Sequence, residues 1–154
     1  MNFGNVLKKE LMVFNLDSTT KEEAIRELSK LLLEHNVINN EDQYIQAVLD
    51  RENHSTTGVG NGIAIPHGKS SSVDKTSIVF AKSKQPIEWD SLDGKPVDII
   101  FLLAIKGEDQ GDTHLKILSE IAMKLMDDDV VQNLKQAVQP EAVIEILEKG
   151  EVLQ

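Results

Sequence analysis

The chain has 154 residues, 40% hydrophobic and 27% charged, with a formal net charge of −10 at pH 7. A chain of this size forms one ordinary domain, burying roughly 70% of the surface that its unfolded form exposes. The acidity argues against a nucleic-acid partner, which demands a basic face, and the lack of cysteine excludes disulfides, thiolate nucleophiles and cysteine-type zinc sites.

No apolar run approaches the ~18 residues that span a bilayer, and the opening Met1 to Asn5 reads as neither a secretory leader nor a myristoylation site. A cytoplasmic protein without membrane insertion is expected. The acidic surplus fits steered docking to a basic protein and fits plain solubility equally well.

Along the chain, Leu11 to Leu16 reads as a strand. A helix follows, with Thr19 or Thr20 as N-cap, Glu22 or Glu23 closing a capping box, and a stripe of Ala24, Ile25, Leu28, Leu31 and Leu32. Asn40 with Gln43 starts a second helix that carries Tyr44, Ile45, Val48 and Leu49 toward Arg51. After a glycine-rich run come strand candidates at 63–65, 76–81, 87–89 and 97–104. The turn-rich segment 90–96 suggests an antiparallel connection between the last two, and the apolar run 97–104 suggests a central strand covered on both faces. A third helix starts near Asp112 or Thr113 with Leu115, Leu118, Ala122, Leu125 and Met126 inward. A short helix spans about 130–138, and Pro140 opens the last one, closed at Lys149-Gly150. Alternating strands and helices without a linker predict a single α/β domain over 1–154, a mixed sheet flanked by helices.

The stretch GVGNGIAIPHGK, Gly58 to Lys69, asks for a chemical explanation. Gly58, Gly60 and Gly62 give G-x-G-x-G ahead of a strand, whereas a dinucleotide fingerprint is G-x-G-x-x-G opening a helix. Gly68-Lys69-Ser70 resembles the end of a Walker A loop, but Ile63 stands where that motif needs glycine. No two histidines have helical ligand spacing, so a metal site is not expected. The remaining reading is nucleophilic. Neutral imidazole accepts a phosphoryl group with little activation, its unperturbed pKa being near ~6.5. Pro66 fixes φ and cannot extend a ladder, which presents His67 rigidly at a strand end. Backbone N–H groups of a glycine-permitted turn, a second histidine and an arginine are the groups suited to stabilise phosphoryl charge.

These residues resemble the active-site segment of enzyme IIA domains of the fructose/mannitol class in the bacterial phosphoenolpyruvate-dependent sugar phosphotransferase system. The likeness runs over nearly the whole chain, through Leu49-Asp-Arg-Glu52, Asp90 to Asp98, Phe101 to Ala104 and Thr113-His-Leu-Lys-Ile-Leu118. One departure is Ser55-Thr-Thr-Gly58, where many members have Gly-Ser-Thr-Gly.

The resemblance implies that His67 is the phosphorylated histidine, at Nε2, with His114 and Arg51 as its active-site companions. Thr57, Gly58, Gly60, Gly62 and Gly68 would form a phosphoryl-stabilising loop. Phosphorylated HPr would donate, no cofactor or metal would take part, and a cysteine of enzyme IIB would accept before the sugar on membrane-embedded enzyme IIC. Lacking cysteine, the chain would hand its phosphoryl group to a separate IIB polypeptide. Fructose or a fructose-like sugar is the expected cargo. The alternative is a nitrogen-type regulatory IIA protein, which acts through its phosphorylation state.

Overall fold

Eight apolar positions within Val97 to Ile105 leave this strand nowhere to lie but the middle of the molecule, and that is where the computed structural model has it. Residues 3–107 and 112–149 are described, with the side chains of 112–115 outside that description. The strands are β1 (Met12–Leu16), β2 (Gly58–Gly60), β3 (Ile63–Ala64), β4 (His67–Ser70), β5 (Ser77–Ile87) and β6 (Val97–Lys106). The helices are α1 (Lys21–Glu34), α2 (Glu41–His54), α3 (Asp112–Leu125), α4 (Asp128–Gln136) and α5 (Pro140–Lys149).

The mixed sheet runs β1-β5-β6-β3-β2, with β4 also on β6. Strands β3 and β4 lie end to end along the same edge of β6, both parallel to it, while β5 is antiparallel on the other edge. Strand β6 alternates between two cores. Ile99, Phe101, Leu103 and Ile105 pack with α3, α4 and α5; Val97, Ile100, Leu102 and Ala104 pack with α1 and α2. A single-domain α/β fold with helices on both faces is therefore observed.

The caps follow the sequence. Glu23 N–H donates to Thr20 Oγ1 at 3.1 Å while the Glu23 carboxylate reaches back to Thr19 N–H at 3.2 Å. Gln43 N–H donates to Asn40 Oδ1 at 3.0 Å.

Three expectations need correction. The separate strands at 76–81 and 87–89 are one strand, β5, which ends at Ile87 and leaves Trp89 outside. The ladder crosses the polar stretch Lys82 to Pro86 with a register shift between Lys82 and Ile87, where Pro86 has no N–H to give. The glycines 58–60 are not a loop but the edge strand β2, antiparallel to β3. They are joined to it through Asn61 and Gly62, both at positive φ (58° and 82°), the conformation of a two-residue hairpin turn. Finally, α3 buries Ile117, Ile121 and Leu125. Leu118 is only partly buried, Ala122 is exposed and Met126 is 82% exposed, and Leu115 lies outside the described side chains. Both rows are apolar and adjacent on the helix, so the sheet, not the helical period, decides which one faces in.

Candidate active site

His67 is the first residue of β4 and lies half-buried at its start. Several backbone groups beside it are held. Pro66 O accepts from Leu103 N–H at 3.0 Å, and Leu103 O accepts from the buried Tyr44 hydroxyl at 2.8 Å. Burial pushes the Tyr44 hydroxyl pKa well up, so it stays a neutral donor. Ile65 N–H donates to Thr57 O at 3.0 Å. Ile65 O in turn lies 3.0 Å from His67 Nδ1. A carbonyl oxygen only accepts, so Nδ1 carries the proton and Nε2 carries the lone pair of the neutral ring.

Gly68 explains why no side chain follows the histidine. A Cβ there would stand 2.8 Å from Val48 Cγ2 and 3.2 Å from Val48 N, so α2 lies directly on the strand. Gln43 Nε2 donates to Ser71 Oγ at 2.9 Å, which sets α2 antiparallel to β4. One turn beyond Val48, Arg51 comes level with the start of β4. Its Nη1 donates to Ser55 O at 2.9 Å, a bond that leaves Nε and Nη2 to face other groups.

Register with Leu103, a member of the α3-side core, puts His67 on the sheet face that α3 covers. Position 114 is the third residue of α3, the helix that follows the end of β6 nearest His67. The backbone thus assigns positions 67 and 114 to one face and one end of the sheet; the His114 side chain lies outside the described residues. His35 and His54 are exposed, as expected.

The glycines divide. Thr57 and Gly58 stay close to His67 through the Ile65 bond and the Gly58–Ala64 pair. Gly60 and Gly62 do not. Ile63 pairs with Ile99 and His67 with Leu103, four residues or about 13 Å along β6. The hairpin turn therefore lies at the far end, where Gly62, Lys95, Asp98, Asp128 and Lys135 line a cleft of about 570 Å³. A single phosphoryl-binding loop made of all five residues is not what the chain builds. Gly58 is required for packing instead, since a Cβ there would meet Ser91 Oγ at 2.3 Å.

Sequence reasoning missed one cluster beside the site. The Glu52 side chain is 4% exposed. It accepts from the Thr57 hydroxyl, from Thr57 N–H at 3.4 Å and from Lys21 Nζ at 3.3 Å. Trp89 Nε1 donates to Thr57 Oγ1 at 3.1 Å, and Lys21 Nζ stands 5.6 Å from the Trp89 ring centroid. The cation of Glu52 is Lys21 and not the adjacent Arg51. Only the adjacency of Glu52 to Arg51 in the sequence hinted at a role.

Comparison with known proteins agrees with this fold. The profile of the family described as "Phosphoenolpyruvate-dependent sugar phosphotransferase system, EIIA 2" matches residues 5–150. The chain is 36% identical, over 96% of its length, to the fructose-specific EIIABC component of Bacillus subtilis, of which it spans 23%. Among solved structures it resembles the nitrogen regulatory protein IIA-Ntr of Neisseria meningitidis, with a TM-score of 0.86 at 29% identity over 94% of this chain and 97% of that one. It also resembles the Escherichia coli complex of enzyme IIAMTL with phosphorylated enzyme IIBMTL, with a TM-score of 0.78 at 26% identity over 93% and 99%. The chain belongs to the EIIA type 2 family of the phosphoenolpyruvate-dependent sugar phosphotransferase system.

Proposed function

We propose that this chain carries phosphoryl groups on His67, taking them from phosphorylated HPr and giving them to a cysteine of enzyme IIB. A sugar held by membrane-embedded IIC is the final acceptor, and a fructose-like sugar is the cargo. The observation that carries the reading is the bond from His67 Nδ1–H to Ile65 O, which leaves Nε2 as the nucleophilic nitrogen.

In the first step the Nε2 lone pair forms a bond to phosphorus as the donor histidine's N–P bond breaks and that nitrogen recovers its electron pair. Arg51 offers planar, bidentate donors to the phosphoryl oxygens. His114, in the first turn of α3, stands where helix amides favour an anion. In the second step the IIB thiolate attacks phosphorus and His67 leaves. The relay runs in the cytoplasm, and its cysteine acceptor lies outside these 154 residues.

The resemblance to IIA-Ntr favours a second reading, in which the phosphorylation state of His67 controls binding to regulated proteins. The two separate on one experiment. Phosphorylated protein is mixed with a fructose-class IIB domain, and the IIB cysteine is followed by mass. Fast transfer supports the transport reading; retention on His67, with return of the group only to HPr, supports the regulatory one.

A further inference from the structure

We infer that the Lys21–Glu52–Thr57–Trp89 cluster is a positioning device for His67, fixing the ring tautomer through two intervening backbone bonds. This rests on the reading of His67 as phosphoryl acceptor, but its structural part stands without it.

The path is continuous. Glu52, from α2, takes both the hydroxyl and the N–H of Thr57. Trp89, from the loop between β5 and β6, donates to the same hydroxyl. Lys21, from α1, holds the carboxylate at Oε2, the oxygen that also takes Thr57 N–H. Thr57 is itself 4% exposed. So held, its carbonyl receives Ile65 N–H, and the far side of that residue, Ile65 O, receives His67 Nδ1–H. Pro66 cannot rotate about φ, so the acceptor oxygen has little freedom to leave.

Stability alone does not explain a desolvated carboxylate here. A buried ion pair is weak evidence for stability, and apolar residues of similar volume do as well or better. What apolar residues cannot do is direct three donors onto one side chain and fix the direction of a carbonyl. The chemistry gives that carbonyl two tasks. Before transfer it holds the proton on Nδ1, so that Nε2 presents its lone pair. After transfer the phosphorylated ring still carries Nδ1–H and is cationic, and the Ile65 carbonyl stabilises that form. A protonated ring is the better leaving group, so the same bond keeps the phosphoryl group ready for the cysteine.

The test compares Thr57→Val, Thr57→Ser and Glu52→Gln with the unaltered protein. The ¹⁵N shifts of the His67 ring report the tautomer without any phosphoryl group, and single-turnover transfer from phosphorylated HPr reports the rate. The unaltered protein is expected to show the Nδ1–H tautomer. Thr57→Val and Glu52→Gln are expected to mix the tautomers and to slow transfer about tenfold, the effect of one lost hydrogen bond. Thr57→Ser keeps the hydroxyl and is expected to match the unaltered protein in both. An Nε2–H tautomer in the unaltered protein, or unchanged ring shifts in Thr57→Val and Glu52→Gln, overturns the inference. If the unaltered protein takes no phosphoryl group at all, the proposed function fails while the ring shifts still decide this one.

Discussion

His67 Nδ1 and Ile65 O, two residues apart across a proline, are 3.0 Å from one another. The His67 ring uses the carbonyl two residues before it as proton acceptor, and the side chains behind that carbonyl hold it in place. The phosphorylated product is accordingly expected to be an Nε2 phosphoramidate, short-lived in acid and persistent in alkali. Protonation makes the imidazole a good leaving group, whereas the nearby hydroxyls of Ser55, Thr56, Thr57 and Ser70 need a general base before they react. ³¹P and ¹⁵N NMR of the phosphoprotein check both the bond and the nitrogen; an acid-stable, alkali-labile product assigns the group to a hydroxyl.

Arg51→Lys and His114→Ala are each expected to leave the fold intact and to slow phosphoryl transfer. Removing one preorganised donor from an electrostatic site costs about 3 kcal/mol, roughly two orders of magnitude in rate, and the half-exposed Arg51 sets that as an upper bound. Single-turnover rates measured with phosphorylated HPr check this. Rates equal to the unaltered protein in both variants remove Arg51 and His114 from the mechanism.

Gly68→Ala tests how tightly α2 sits on β4. The added methyl meets Val48 Cγ2 at 2.8 Å, Val48 N at 3.2 Å and Tyr44 Cε1 at 3.3 Å. Two of these three neighbours cannot rotate away, so overpacking is expected to destabilise by about 1–3 kcal/mol. Urea unfolding at neutral pH measures it. A variant as stable as the parent means that α2 stands off the strand.

Much of this was legible beforehand, and the divide is physical. Local signals held: Thr20 with Glu23, Asn40 with Gln43 and Pro140 mark helix starts because caps act within one turn. The apolar run of β6 also held, whereas His67, expected to end a strand, instead opens β4. The hairpin at 58–64 was missed although Asn61-Gly62 is its strongest short-range mark; the surrounding glycines drew attention to the wrong property. The inward row of α3 was not legible, since a wide apolar stripe does not say which half the sheet selects. Nor was the Glu52 cluster, whose members Lys21 and Trp89 are distant in sequence and meet only after α1 and the β5–β6 loop pack together.

Acid should loosen the far end of the sheet in a specific way. The backbone N–H of Lys95, then that of Asn61, hold the Asp93 carboxyl below its ordinary value. A carboxyl depressed in the folded state adds stability that is fully present above its unfolded value and is lost as pH falls through its folded value. The Asp93 carboxyl carbon, followed by NMR, is therefore expected to titrate below the same residue in denatured protein. Asp93→Asn should lose less stability than the parent over that acid window. A midpoint equal to the denatured one contradicts the two bonds on this carboxylate, one from Asn61 in the hairpin turn and one from Lys95 within the β5–β6 loop.

The central claim is that His67 is the covalent phosphoryl carrier. The direct measurement mixes the protein with phosphoenolpyruvate, enzyme I and HPr, then follows intact mass and maps the modified residue under alkaline conditions. The expected result is one added phosphoryl group on His67, none on a folded His67→Ala variant, and its removal by excess unphosphorylated HPr. A group found on another residue, or a His67→Ala variant labelled as fast as the parent, contradicts the claim.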